Sequence, residues 1–309
     1  MSSIFAWTIQ IILIPAISPF FIGVTRKIKA KFQNRKGASI FQPYRDLWKL
    51  FHKDEIISKD ASWIFRFSPY IILALTIIVG ACIPLISLIT KNNYLGDFLV
   101  IVYLLALGTF FLALSGMDTG GGFGGFGSSR EMTVAALTEG GLICSLLTLS
   151  LASHTTNLFG IANFGLSMPL QYLPSIILAF FSFGISLLAE TARFPFDNPA
   201  THLELTMIHE AMLLEHSGKG LAMMEWAAAN KFVIFLALAA NLFFPFGIAT
   251  DISVASLLVA LLVLVVKISI LCFGIAVLES FTAKLRFFRL PDLLFTSFVL
   301  SAIAIGLIF

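Results

Sequence analysis

Eight continuous apolar stretches, at about 4–24, 68–90, 97–115, 132–152, 170–190, 229–247, 253–275 and 292–309, leave this chain little choice of solvent. Each approaches the ~20 residues that an α-helix needs to cross ~30 Å of hydrocarbon. In lipid every backbone N–H and C=O must find its partner within the protein, so runs of this kind form helices. A barrel would ask for segments of about ten residues alternating apolar and polar, and these runs do not alternate. Composition agrees, with 58% of the 309 residues hydrophobic and 12% charged, against roughly 25% charged in soluble domains. The expected fold is all-α: a polytopic membrane protein of about eight transmembrane helices, forming a single integral membrane domain over 1–309.

Loop charges set the expected orientation. The connections at 25–67, 116–131, 191–228 and 276–291 carry eleven, one, two and three Lys or Arg, whereas those at 91–96, 153–169 and 248–252 carry one, none and none. The first set is therefore expected on the cytoplasmic side of the cell inner membrane, with both termini on the periplasmic side. The first run is followed directly by Arg26, Lys27, Lys29 and Lys31 and by no small-residue cleavage site, which favours a retained helix over a cleaved signal. Two cytoplasmic loops, 25–67 and 191–228, are too long for simple turns. Within the first, Arg45 to Phe51 is an amphipathic stretch suited to a helix lying in the interface plane.

Charges inside the apolar runs carry the functional signal. Glu139 is placed about eight residues into the fourth run, Lys267 in the middle of the seventh and Glu190 at the cytoplasmic end of the fifth. A charge at helix centre costs ~2.5–3.5 kcal/mol on insertion scales, so such groups line an interior path or pair with one another. Glu139 and Lys267 are candidates for a pair that also exchanges a proton. Glu279, at the end of the seventh run, reads as a residue snorkelling to the interface.

The 191–228 loop is acidic. If it were one helix, Asp197, Glu204 and Glu215 would share a face at ~100° per residue, with Asp197 or Asn198 near its cap and Pro199 in its first turn. Carboxylates lined up beside a membrane suit proton handling, against the plainer reading of a solvated acidic face. His202, His209 and His216 recur every seven residues, but Leu213 stands where a zinc-protease string after His209-Glu210 requires histidine. Gly120, Gly122 and Gly125 formally match a dinucleotide fingerprint, but the context is helix–loop–helix rather than strand–loop–helix. The stretch Gly116 to Gly127 reads instead as a tight, flexible turn, with Arg130 at the start of the next helix. Cys82, Cys144 and Cys272 lie in three different apolar runs and form no local cluster motif.

Several of these residues together resemble a known family. Gly127-Ser-Ser-Arg-Glu131, the spacing from Arg130 to Glu139, and Glu190-Thr-Ala-Arg-Phe-Pro-Phe-Asp197 are similar to the membrane heel subunit (subunit 1) of respiratory complex I. The family they resemble also includes the matching subunit of group 4 nickel–iron hydrogenases. After Asp197 the chain departs from the Leu-Ala-Glu-Gly-Glu-Ser-Glu-Leu continuation usual in complex I. The run Asn198 to Glu210, then Leu214 to Gly218, looks like the hydrogenase-4 component C and formate hydrogenlyase branch.

The resemblance implies a subunit that performs no bond chemistry. It would anchor the hydrogenase small (Fe–S) and large subunits on its cytoplasmic loops, sit beside antiporter-like membrane subunits, and link redox events to proton or sodium translocation. Glu139, Glu190, Asp197, Glu204, Glu210 and Glu215 are the implied relay, with Arg130 and Arg193 as charge partners; Lys267 is added on burial alone. No cofactor or metal is expected on this chain, the Fe–S clusters and the NiFe centre belonging to partner subunits. The alternatives are the quinone-site subunit of a complex I-type NADH dehydrogenase and a stand-alone secondary ion transporter; the latter lacks the expected repeat symmetry.

Overall fold

The computed structural model describes residues 2–88, 96–197, 207–251 and 253–309, with side chains from Thr8 onward. Eight of its helices are long and apolar enough to cross a bilayer. No strand occurs among the described residues, only two isolated bridges. The protein is an all-α polytopic membrane protein.

Helix α1 (Ser2–Phe32) contains Pro15 and Pro19. Pro19 has no N–H to give the carbonyl of Pro15, four residues earlier. That carbonyl instead accepts the indole N–H of Trp226 at 2.9 Å, so the break in α1 is tied to the central helix. Helix α2 (Gln42–Phe51) is the expected amphipathic segment, burying Pro43 and exposing Trp48. Helices α3 (Trp63–Cys82) and α4 (Phe98–Asp118) are joined at their ends by Asp118, whose carboxylate accepts from the Ser62 N–H and hydroxyl, both at 2.7 Å.

Helix α5 (Gly122–Ser153) starts ten residues before the expected 132 (132 − 122), which corrects the reading of the glycine-rich stretch. Only Thr119 to Gly121 turn; Gly120, at φ +68°, supplies the left-handed residue. Gly116, Gly124 and Gly127 serve close packing. A Cβ on Gly124 would lie 2.0 Å from the carbonyl oxygen of Gly116, and one on Gly127 2.8 Å from the Ala211 methyl. Small residues of this kind let helix backbones approach within a membrane. Arg130 accordingly lies inside α5 rather than at its start.

After α6 (Leu158–Gly165), α7 (Leu173–Glu190) returns to the basic end. The following segment corrects the single-helix expectation for the acidic loop. Residues 191–196 turn, α8 spans only His209–Leu213, and α9 (Gly218–Leu238) has already begun before Glu225. Glu204 and His202 lie outside the described residues, as do Asn198, Pro199 and Thr201. Helix α9 continues as a π turn, Ala239–Phe243, and is the axis of the protein, with Phe232 to Ala240 at most 2% exposed. Helices α10 (Val254–Phe281) and α11 (Leu290–Gly306) complete the bundle, α10 against α1 and α11 against α5 and α7.

The four connections predicted to share one side do meet at one end. Ser62 bonds Asp118, the Ile56 backbone exchanges two hydrogen bonds with Ser217, and the Leu285 N–H donates to Pro195.

Candidate functional site

At that basic end, α1, α2, the end of α7, residues 191–197, α8 and α9 enclose a cavity of about 170 Å³. Its walls carry Glu190, Arg193, Asp197, His209 and Glu210 from the loop region, and Glu225 and Lys231 from α9. Arg26 and Asp46 complete the ring from α1 and α2. Four of the nine residues named as candidates from sequence therefore converge here, Glu190, Arg193, Asp197 and Glu210, and Glu139 lies within electrostatic range of two wall residues.

The Glu190 carboxylate receives Lys231 Nζ at 2.7 Å, with the two side chains 8% and 17% exposed. The same ammonium donates to Thr109 Oγ1 at 3.1 Å, which fixes it between α7 and α4. Glu139 is half-buried on α5, close enough to Glu190 and Lys231 for its charge to act on both. Behind Lys231 and His209 a second cavity of about 40 Å³ reaches between α3, α4 and α9, past Thr76 and Thr109. Lys231 is thus the wall between a charged chamber and an apolar one. Sequence reading missed it because a span starting at 229 makes Lys231 a flanking charge. With α9 starting at Gly218, it lies thirteen residues (231 − 218), about 20 Å, along the helix. The adjacent Asn230, which accepts from Ser18 at 2.6 Å and donates to Thr76 at 3.2 Å, is the signal that this part of the helix is interior.

The loop residues are clamped rather than free. Arg193 donates to Glu279 at 3.2 Å and lies 4.3 Å over the Phe232 ring. Glu279 also receives Lys29 at 3.0 Å and is 4% exposed, so it is a buried counter-ion and not a snorkelling end residue. Asp197 takes Lys284 at 2.6 Å and accepts the N–H groups of Ile208 and His209, each at 3.2 Å. Arg130 donates to the Met207 carbonyl at 3.1 Å. Glu215 is exposed above the 119–121 turn, where its carboxylate would lie 3.1 Å from a Cβ on Gly121; it is not part of the cavity wall.

Lys267 stands in the middle of α10, as expected, but its partners differ from the expected Glu139. Its ammonium donates to the Phe244 carbonyl at 2.6 Å and to Asn241 Oδ1 at 3.3 Å, and sits 4.4 Å over the Phe246 ring. The pair exchange proposed for Glu139 and Lys267 has no basis in this arrangement; Lys231 occupies that place.

Two histidines have opposite electrostatics. Burial pushes the His209 imidazole down, but the neighbouring carboxylates of Glu131, 3.9 Å away, and of Glu210 outweigh it, and its pKa is raised. His216 stacks on Phe65 at 4.0 Å and shares a 3.0 Å hydrogen bond with Ser115, and burial lowers it to about 4. A histidine held neutral in the fold and titrating near 6.5 when unfolded leaves stability intact above that value and removes it as pH falls towards 4. Between pH 7 and pH 5 the expected loss is about 2 kcal/mol. Detergent-phase thermal unfolding of His216→Phe at the two pH values should show that component removed, while wild type keeps it.

The profile of the NADH dehydrogenase family matches residues 5–309. Hydrogenase-4 component C of Escherichia coli (strain K12) is 35% identical over 298 residues, covering 96% of this chain and 92% of that protein. Formate hydrogenlyase subunit 4 of the same strain is 30% identical over 290 residues, covering 94% of each. A chain of the membrane-bound sulfane sulfur reductase, an archaeal respiratory membrane complex, superposes over 100% of both chains with a TM-score of 0.82 at 19% identity, which speaks for the fold alone. With a family match running nearly end to end and two relatives at 30% identity or more, the chain belongs to the NADH dehydrogenase family, of the complex I subunit 1 type.

Proposed function

We propose that this chain is the non-catalytic membrane anchor and ion-coupling subunit of a group 4 nickel–iron hydrogenase complex of the hydrogenase-4 or formate hydrogenlyase kind. It sits in the cell inner membrane with both termini on the periplasmic side. The hydrogenase small (Fe–S) and large subunits dock on the basic end, and antiporter-like subunits lie alongside in the bilayer. The Fe–S clusters and the NiFe centre reside in those partners. The names of the two Escherichia coli relatives support this branch.

The observation that carries the coupling part is the charged cavity joined through Glu190 and Lys231 to Glu139. Ionisable groups run from the loop-rich end into the bundle, which is what an ion path requires. Lys231 has two carboxylates in electrostatic range, so a charge change at the docked redox arm can redistribute it between them. A cavity of about 170 Å³ with nine ionisable groups on its wall is below the ~300 Å³ at which ligand pockets begin. That favours ion handling over the quinone-site alternative. The test compares wild type with Glu139→Gln in membrane vesicles. Hydrogen evolution should persist while ion uptake falls about fivefold. Unchanged uptake in an assembled complex would reduce Glu139 to a packing charge and the chain to an anchor.

A further inference from the structure

On the flank of the bundle away from the charged cavity, α7 and α10 splay apart over α9 and leave an apolar groove of about 730 Å³. A helical turn about 10 Å across and 5.4 Å tall displaces roughly 400 Å³, so the groove takes nearly two turns of helix. Three features make it more than a lipid-facing hollow. Gly184 on α7 and Gly274 on α10 line it from opposite sides, and a Cβ on either would meet no atom within 4 Å. Ala239 and Ala240 of α9 line it as well. Small side chains opposed in this way expose backbone for close approach by another helix. The third feature is Lys267, also in the lining yet 6% exposed. Its acceptors are a carbonyl, an amide and an aromatic ring, and among the described residues no ion pair answers its charge.

We infer that this groove receives a transmembrane helix of a neighbouring membrane subunit, packed against Gly184 and Gly274 and carrying a carboxylate opposite Lys267. Charge and depth choose that occupant over a phospholipid. Lys267 is the fourteenth residue of the 28-residue α10, about 20 Å from either end at 1.5 Å per residue. A lipid phosphate does not reach that depth, whereas a helix can carry an acidic side chain at any level. The inference rests on the reading of this chain as a subunit of a larger membrane complex.

The experiment uses the whole complex in native membranes. A Cβ at either position meets none of the chain's own atoms within 4 Å, so Gly184→Leu and Gly274→Leu can extend into the groove, and leucine favours the helix more than glycine does. The tagged chain is recovered in mild detergent and the co-purified membrane subunits are quantified per chain. Each leucine variant should lose at least about fivefold of one membrane subunit while its own helicity and yield hold. Lys267→Met should lose the same subunit. In parallel, a photo-cross-linking residue at Ile270, which is 64% exposed and lines the groove, should form an adduct with that subunit. Unchanged recovery in both leucine variants overturns the inference, as does an adduct to phospholipid only or to a second copy of this chain. A wild-type chain recovered alone overturns the complex-subunit reading itself, which keeps the two failures apart.

Discussion

Replacing Lys231 with methionine should cost the protein about 3 kcal/mol of stability and abolish ion coupling together, because the substitution leaves the Glu190 carboxylate in a nearly closed site without its cation. Removing one partner of a buried pair costs about 3–5 kcal/mol, most of it from the stranded charge. Glu190 and Lys231 are 8% and 17% exposed, and that partial exposure places the expectation at the lower end. The double variant Lys231→Met/Glu190→Gln removes both charges and should regain most of the stability. It should not regain ion uptake. Unfolding in detergent and uptake in vesicles, measured on wild type, the two single variants and the double, separate the two effects. Recovery of uptake in the double variant would show that the pair only holds α7 to α9.

Glu279→Gln is expected to have the larger structural effect. The carboxylate, 2% exposed, is the shared counter-ion of Lys29 from α1 and Arg193 from the 191–197 turn. A glutamine keeps one acceptor but leaves two cations facing each other, with Arg193 held against Phe232 and Lys29 4.4 Å from Phe194. The expected loss is about 3–5 kcal/mol, seen as a lower unfolding temperature. Proteolysis should also become faster in the 191–197 segment, since that turn loses one of its two ion-pair anchors. Lys29→Met/Glu279→Gln should recover part of the loss. A neutral outcome for the single variant would mean that water already compensates these charges.

The spans and the all-α class were legible because they depend on local composition, and lipid permits few backbone solutions. The grouping of four connections at one end was legible for the same reason, since Lys and Arg counts are a property of each loop alone. Helix ends were less so. Hydropathy sees Gly122 to Glu131 as polar and glycine-rich, but Gly124 and Gly127 of that stretch pack closely against α4 and α8, as in the contact of Gly124 with the Gly116 carbonyl. Glu190, Asp197, Arg193 and Glu210 were placed at the site by motif resemblance, and the structure gathers them on one cavity. Their partners were not legible. Lys231, Glu279, Lys284 and Lys29 reach the same region from α9, α10, the connection before α11, and α1. Pairings between residues so far apart in the chain are set by helix packing, and no spacing rule in a single chain records them. Lys267 was found by burial, but its neighbours Asn241 and Phe244 come from the π turn and the residue after it, whose wider coil hydropathy does not distinguish from ordinary helix.

The Asp197 carboxylate joins residues 11 and 12 positions downstream, Ile208 and His209, while Lys284 holds the same group from the side. It acts as a staple at the neck of a loop. Every residue on the cavity wall falls outside the interval 198–206. Closing a loop costs only about 0.6 kcal/mol more for each doubling of its length. The chain between the stapled ends can therefore be lengthened or rewritten at small cost while the wall of the cavity stays where it is. The stretch of sequence between the stapled ends and the residues of the chamber are in this sense separate modules, free to diverge at different rates under different demands.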